Sequence, residues 1–228
     1  MNGFVLIVVA GLATLLPEAR AFDCNVTRFD EVAARATFYG AGSTEAQSDQ
    51  ALIARCQAFD KDIAYLQEYT QNCIQGLANG MVKLVLEGAS NDMATRCVES
   101  PTRANYLRLV PCLNKHGNEF HKCNMNLAAV LESASAKPKK IRVGLSCCYM
   151  GNFVDCVTRT AKKCGPDHQQ IASDIINNYA ADLLSTVCVK WKANSKACRE
   201  LPRISPAPNP KYKSLITPLA NVLLSLNH

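Results

Sequence analysis

Apolar residues in this chain fall at helical rather than strand intervals. After Ser43, the residues Leu52, Ile53, Cys56, Phe59, Ile63, Leu66, Tyr69, Cys73, Ile74 and Leu77 recur at spacings near three and four, the stripe of one amphipathic helix or two in succession. That stripe carries Cys56 and Cys73 toward the core. Asn79-Gly80 interrupts it, and MVKLVLEG beyond reads as helix by its surroundings. Pro101-Thr102 opens a further element that Pro111 limits, and Cys112 and Cys123 flank a helix continuing through Leu127, Val130 and Leu131. Another helix is expected from about Gly144 to Lys163, stopped by Gly165 and Pro166. The clearest segment follows: Asp167 with Gln170 forms a capping-box-like start. The pairs Ile171-Ala172, Ile175-Ile176, Tyr179-Ala180, Leu183-Leu184 and Val187-Cys188 then repeat at a period no strand tolerates.

Three segments stand apart from the helical pattern. Residues 22–42, with Gly40 and Gly42, show broken periodicity and read as a lead-in tethered by Cys24. The proline-dense stretch Pro202 to Lys213 forbids helix and central strand and reads as an extended linker. Beyond it, Leu215, Ile216, Leu219, Val222, Leu223 and Leu226 make a short amphipathic tail, open to docking on the body, on a second copy or on a membrane. The pattern therefore predicts an all-α domain of roughly five to seven helices over residues 22–200, a Pro-rich linker at 201–213 and a tail at 214–228.

The first residues read differently. An apolar run from Phe4 to Leu16, then Pro17, then Ala19-Arg20-Ala21, has the form of a secretory signal with an A-x-A cut after Ala21. The run is shorter than the roughly 20 residues a spanning helix needs. All 12 cysteines lie beyond that cut: Cys24, Cys56, Cys73, Cys97, Cys112, Cys123, Cys147, Cys148, Cys156, Cys164, Cys188 and Cys198. An even number in a secreted context implies a disulfide framework, with on the order of ten thousand pairings left open. Asn25-Val26-Thr27 is a glycosylation acceptor. Together these features predict a secreted, extracellular glycoprotein with no stable membrane insertion in the mature chain.

Composition adds exclusions. The formal charge is +6, and it survives the cut because Arg20 and Glu18 leave together. So mild and dispersed a charge gives no reason to expect a nucleic-acid partner. The densest basic run, Lys137-Pro138-Lys139-Lys140-Ile141-Arg142, reads as a solvated loop, a docking patch for anionic glycans or a dibasic processing site.

Chemistry centres on Cys147-Cys148. Secreted phospholipases carry a CC-x-x-H-D-x-x-C helix in which His activates water, but here Tyr149-Met150-Gly151-Asn152 follows and the base is absent. Side chains on neighbouring helical positions diverge by about 100°, so each cysteine is expected to reach a different helix. There is no C-x-x-C, no G-x-S-x-G and no phosphate or calcium loop motif. His116 and His121 stand five apart with Gly117 and Asn118 between them, not at zincin spacing, and His168 and His228 complete the set. Phe59, Tyr65, Tyr69 and Tyr106 sit at core-packing intervals. No catalytic, cofactor or metal residue is assigned, and the protein is expected not to be an enzyme.

The array Cys147-Cys148, Cys156, Cys164 and Cys188 resembles that of secreted cysteine-rich proteins of arthropod haemolymph, of the 27 kDa haemolymph glycoprotein type, over about residues 50–190. That resemblance implies a helical, extracellular, non-enzymatic protein with no catalytic residues to carry over. Two functions are expected from it and from the residues. One is binding or carrying a small apolar ligand in body fluid, in a closed cavity lined by Ile175, Tyr179 and Leu183 or similar residues. The other is an effector of the venom or salivary kind that acts on another extracellular protein through its surface, the tail with Lys139, Lys140 and Arg142 being one candidate patch.

Overall fold

The computed structural model describes residues 22–226, so the proposed signal peptide lies outside the described residues. They form α1 (Val26–Ala36), α2 (Asp49–Cys73), α3 (Gly76–Cys97), α4 (Pro101–Lys115), α5 (Gly117–Ser135), α6 (Lys139–Lys162), α7 (Pro166–Thr186), α8 (Lys196–Arg199) and α9 (Ile216–Leu224). The domain is all-α, as the apolar period requires. Nine helices among the described residues exceed the expected five to seven, because both the lead-in and the tail are helical. No helix among the described residues is long and apolar enough to cross a membrane.

Helix α3 packs on α7, α7 on α6 and α6 on α5, and this row of helices carries most of the core. Helix α9 lies inside, against α5, α3, α1 and α6. Its residues Ile216, Leu219, Ala220, Val222 and Leu223 are all buried, so the tail is a central core element rather than an appendage. Residues 202–213 lead to it without helix or strand.

Local chemistry explains where the helices differ from expectation. Asn25 caps α1, its side-chain oxygen accepting from Arg28 N–H at 3.0 Å, which starts a helix inside the expected lead-in. The break between α2 and α3 falls at Ile74, before a Gly76 at φ +60°, not at Asn79-Gly80. Asn79 instead turns its amide back to donate to the carbonyls of Thr70 and Ile74, at 2.6 and 2.8 Å, and closes the end of α2. Pro111 lies within α4, which ends at Lys115. Helix α6 begins at Lys139, so Lys139, Lys140 and Arg142 form its first turn and not a loop. Gly165, at φ +112°, separates α6 from α7 and places Pro166 at the first helical position. Asp167 is thereby in the first turn rather than at the cap. Ile53 and Leu77, counted in the apolar stripe, are exposed.

The bridges are Cys24–Cys73, Cys56–Cys97, Cys112–Cys164, Cys123–Cys156, Cys147–Cys188 and Cys148–Cys198, with no cysteine left free. Cys147 and Cys148 do diverge, one to the turn after α7 and the other to α8. The pairing also partitions the chain. The first four cysteines bond only among themselves, within residues 24–97, and the last eight only among themselves, within 112–198. Two blocks that no disulfide links to each other therefore meet along the α3–α7 seam, with α9 inserted between them and bridged to neither.

Two glycines of α3 show how tight that seam is. A Cβ at Gly88 would stand 2.2 Å from the carbonyl oxygen of Asn178 on α7, whereas at Gly80 it would meet nothing. Gly88→Ala is expected to destabilise by about 1–3 kcal/mol through overpacking of backbone that cannot yield. Gly80→Ala should stabilise by about 0.5–1 kcal/mol through helix propensity alone. Denaturant unfolding of both variants checks this, since equal effects would mean α3 and α7 do not touch at Gly88.

Candidate functional site

The buried stripe of α3 runs Val85, Ala89, Asp92, Met93 and Arg96, so an acid and a base occupy core positions at helical spacing. Arg96 is 2% exposed and Asp92 3%. Their side chains form an ion pair one turn apart along the helix. The same guanidinium reaches the Tyr179 hydroxyl of α7 at 3.4 Å and lies over the Tyr106 ring of α4, 5.0 Å from its centroid. Asn178 of α7 donates to Asp92 at 3.4 Å. Arg96 Nε and the Tyr106 hydroxyl are buried without a partner, which makes this the least satisfied polar spot at the seam.

Burial works against the Arg96 charge, but its surroundings, the Asp92 carboxylate among them, outweigh it and raise the guanidinium above its ordinary pKa. Burial likewise pushes the Tyr179 and Tyr106 phenols well above their usual range, so both stay protonated. A second network joins the loop after α1 to the end of α4. Tyr39 N–H donates to Glu45 Oε1 at 2.7 Å, and the Tyr39 hydroxyl and Glu45 N–H both donate to Asn114 Oδ1, at 2.8 and 2.9 Å. Burial raises the Glu45 carboxyl, with the Tyr39 amide, Arg96 and Arg55 pulling the other way.

Above Asp92 and Arg96 opens a groove of about 600 Å³ between α3, α4 and α7. Most of its lining residues are polar in type, among them Thr95, Asn105, Gln170, Asp174 and Asn178, beside Pro101, Ile171 and Ile175, with an exposed Arg108–Asp167 pair at 3.4 Å on the rim. Gln170 donates to Asp174 at 2.7 Å. Depressions of about 570 and 500 Å³ flank the loop after α7, but neither has a buried charge pair among its lining residues. Inside the bundle there is little room. The apolar cavity nearest the expected one, lined by Ile176, Tyr179 and Leu183 among others, measures about 20 Å³, space for a single water.

The residues singled out from sequence are scattered. The cysteines are all consumed in bridges. Asn25 is exposed at the start of α1, where a glycan could be carried. His116 pairs with Glu119 at 3.1 Å, and His121 meets the Tyr39 carbonyl at 3.0 Å. His168 comes within ligand distance of Cys112 and Cys164, but those two sulfurs are bonded to each other and offer no thiolate. The tail and Arg142 do not form an exposed patch: Arg142 donates to Lys137 and Ser225 carbonyls, and α9 is buried.

No family model, curated protein or solved structure matches the chain. The groove's character rests on its own residues, of which only Ile175, expected to line a closed apolar cavity, was singled out from the sequence as a site residue. The available signal was Asp92 and Arg96, charges set into an apolar stripe.

The raised Glu45 carboxyl makes stability depend on pH. A folded-state pKa above the unfolded one contributes stability that is full below the ordinary value of 4.5 and is lost as pH rises through the raised value. Glu45→Gln keeps the acceptor for Tyr39 and removes the titration. Thermal melts across acid to neutral pH are expected to show the variant gaining on the parent as pH rises; parallel profiles would refute the raised Glu45 carboxyl.

Proposed function

We propose that this is an extracellular, non-enzymatic binding protein that recognises its partner at the surface, through the groove between α3, α4 and α7. Chemistry supports the compartment: six disulfides with no free cysteine suit an oxidising environment. The observation that carries the surface reading is the contrast in volume between an interior cavity of about 20 Å³ and an open groove of about 600 Å³. A carrier needs the former to be large, whereas recognition needs only the latter.

The groove suits a polar partner. Asn105, Asn178 and Gln170 each offer both donor and acceptor, the pattern that matches peptide groups of another protein. Asp174 and the rim pair add charge of both signs, which favours register and selectivity over raw affinity. Beneath it Asp92 accepts from Asn178 and Arg96 reaches the Tyr179 hydroxyl, both at 3.4 Å, and these contacts from α3 to α7 favour a preformed groove. The haemolymph resemblance points the same way, toward a non-enzymatic protein of extracellular fluid.

The test is a groove-filled variant, Asn105→Trp on the exposed face of α4, compared with the parent as immobilised bait in extracellular fluid. Loss of at least tenfold in a specifically retained protein is expected. Equal retention by both baits, with native circular dichroism, would remove the groove from consideration.

A further inference from the structure

Helix α9 is the one core element that no disulfide secures, since Cys198 is the last cysteine and the chain then runs through Pro202, Pro206, Pro208 and Pro210 before α9 begins. Its two ends are held by opposite charges. At the start, the buried Asp30 carboxylate accepts from Lys213 N–H at 2.6 Å, from Ser214 N–H at 3.1 Å and from the Ser214 hydroxyl at 2.8 Å. At the finish, Arg142 donates to the Ser225 carbonyl at 3.2 Å. Acid at the N-terminal end and base at the C-terminal end complement the helix dipole, so the slot is electrically matched to what fills it.

The fit is incomplete in one respect. Apolar cavities of about 20 and 10 Å³ both border α9, the first touching Leu215 and Leu219 and the second Leu219, Val222 and Leu223. Across from them stand Phe38, Val85, Met150 and Leu183, drawn from both disulfide blocks. Without α9 these residues would line an apolar cleft between the blocks. Arg142 would stand at one end of it, its Nε still on the Lys137 carbonyl and its Nη1 without the Ser225 acceptor.

We propose that the slot of α9 is a binding site for a long-chain fatty acid, α9 being its intramolecular occupant. The chain of the ligand takes the place of Leu219, Val222 and Leu223, and its carboxylate takes the place of the Ser225 carbonyl on Arg142. A charged carboxylate is a stronger acceptor for a guanidinium than a peptide carbonyl. The tether opposes exchange, because a linked segment competes at an effective concentration of roughly millimolar. The ligand therefore enters when the strap is cut or its latch on Asp30 is lost. Arg203, Lys211 and Lys213 are exposed along that strap and open to a protease that cuts after basic residues.

The test uses the full chain with a protease site placed at the exposed Pro208-Asn209-Pro210, compared uncut and cut, and the Ser214→Ala variant, which loosens the latch by removing one of its three hydrogen bonds to Asp30. The probe is cis-parinaric acid, followed by fluorescence, with native mass spectrometry reporting whether the α9 fragment stays bound. The uncut chain is expected to bind weakly, and the cut chain to take up one probe per molecule while losing α9. Arg142→Gln in the cut chain should weaken the acid by about tenfold or more and leave the matching fatty alcohol unchanged. Ser214→Ala should lie between cut and uncut. Retention of α9 at saturating probe, dimerisation of the cut chain without probe uptake, unfolding on cutting, or equal loss of acid and alcohol affinity would each overturn the proposal.

Discussion

The structure depends on how its six disulfides are distributed. Each closes a loop of between 33 and 52 residues, long enough for a substantial entropic effect on the unfolded chain, on the order of 4 kcal/mol apiece in the chain-entropy model. None closes a loop across residues 98–111. Covalent chemistry therefore stabilises two blocks and leaves their union to packing. The seam is correspondingly close, with Gly88 admitting the backbone of α7. Asp92 and Arg96 pair within α3 and add little net stability, and it is their 3.4 Å contacts to Asn178 and Tyr179 that bear on the alignment of α3 on α7.

Everything of functional interest lies along the same seam. The polar groove sits where α4 leans on α3 and α7, above Asp92 and Arg96. The apolar slot lies deeper, where α9 inserts between the blocks. Tyr179 joins the two, its ring facing the apolar cavity and its hydroxyl facing Arg96. A junction of two separately stapled bodies is a natural place for recognition, because its walls come from different rigid units and its geometry is set by neither alone.

Much of the helical architecture was legible in the sequence because apolar periodicity is a direct readout of a buried face. Helix α7, with its paired apolar residues every fourth position, is the plainest case, although it ends at Thr186 and the buried Cys188 reaches the core from the turn beyond it rather than from the helix. The divergence of Cys147 and Cys148 followed from the helical angle alone. Helix α1 was hidden because it is short and its start depends on the Asn25 cap rather than on a long stripe. The boundary between α2 and α3 was misplaced because Asn79-Gly80 looks like a turn, and only the tertiary geometry shows Asn79 capping the helix before it. The burial of α9 could not be read from its own pattern: an apolar face says that something covers it, not what. The groove was least legible, since Asp92, Asn105, Gln170 and Asn178 are ordinary surface residue types until the fold collects them.

The division into blocks is open to direct measurement. A single protease site introduced at Val98-Glu99-Ser100, between Cys97 and Cys112, would be cut in the folded protein, which would then be denatured without reductant. The expected result is two separate fragments by mass, one holding two bridges and the other four. A cut chain that stays together until thiols are added would contradict the partition, and with it the view that the seam holds by packing alone.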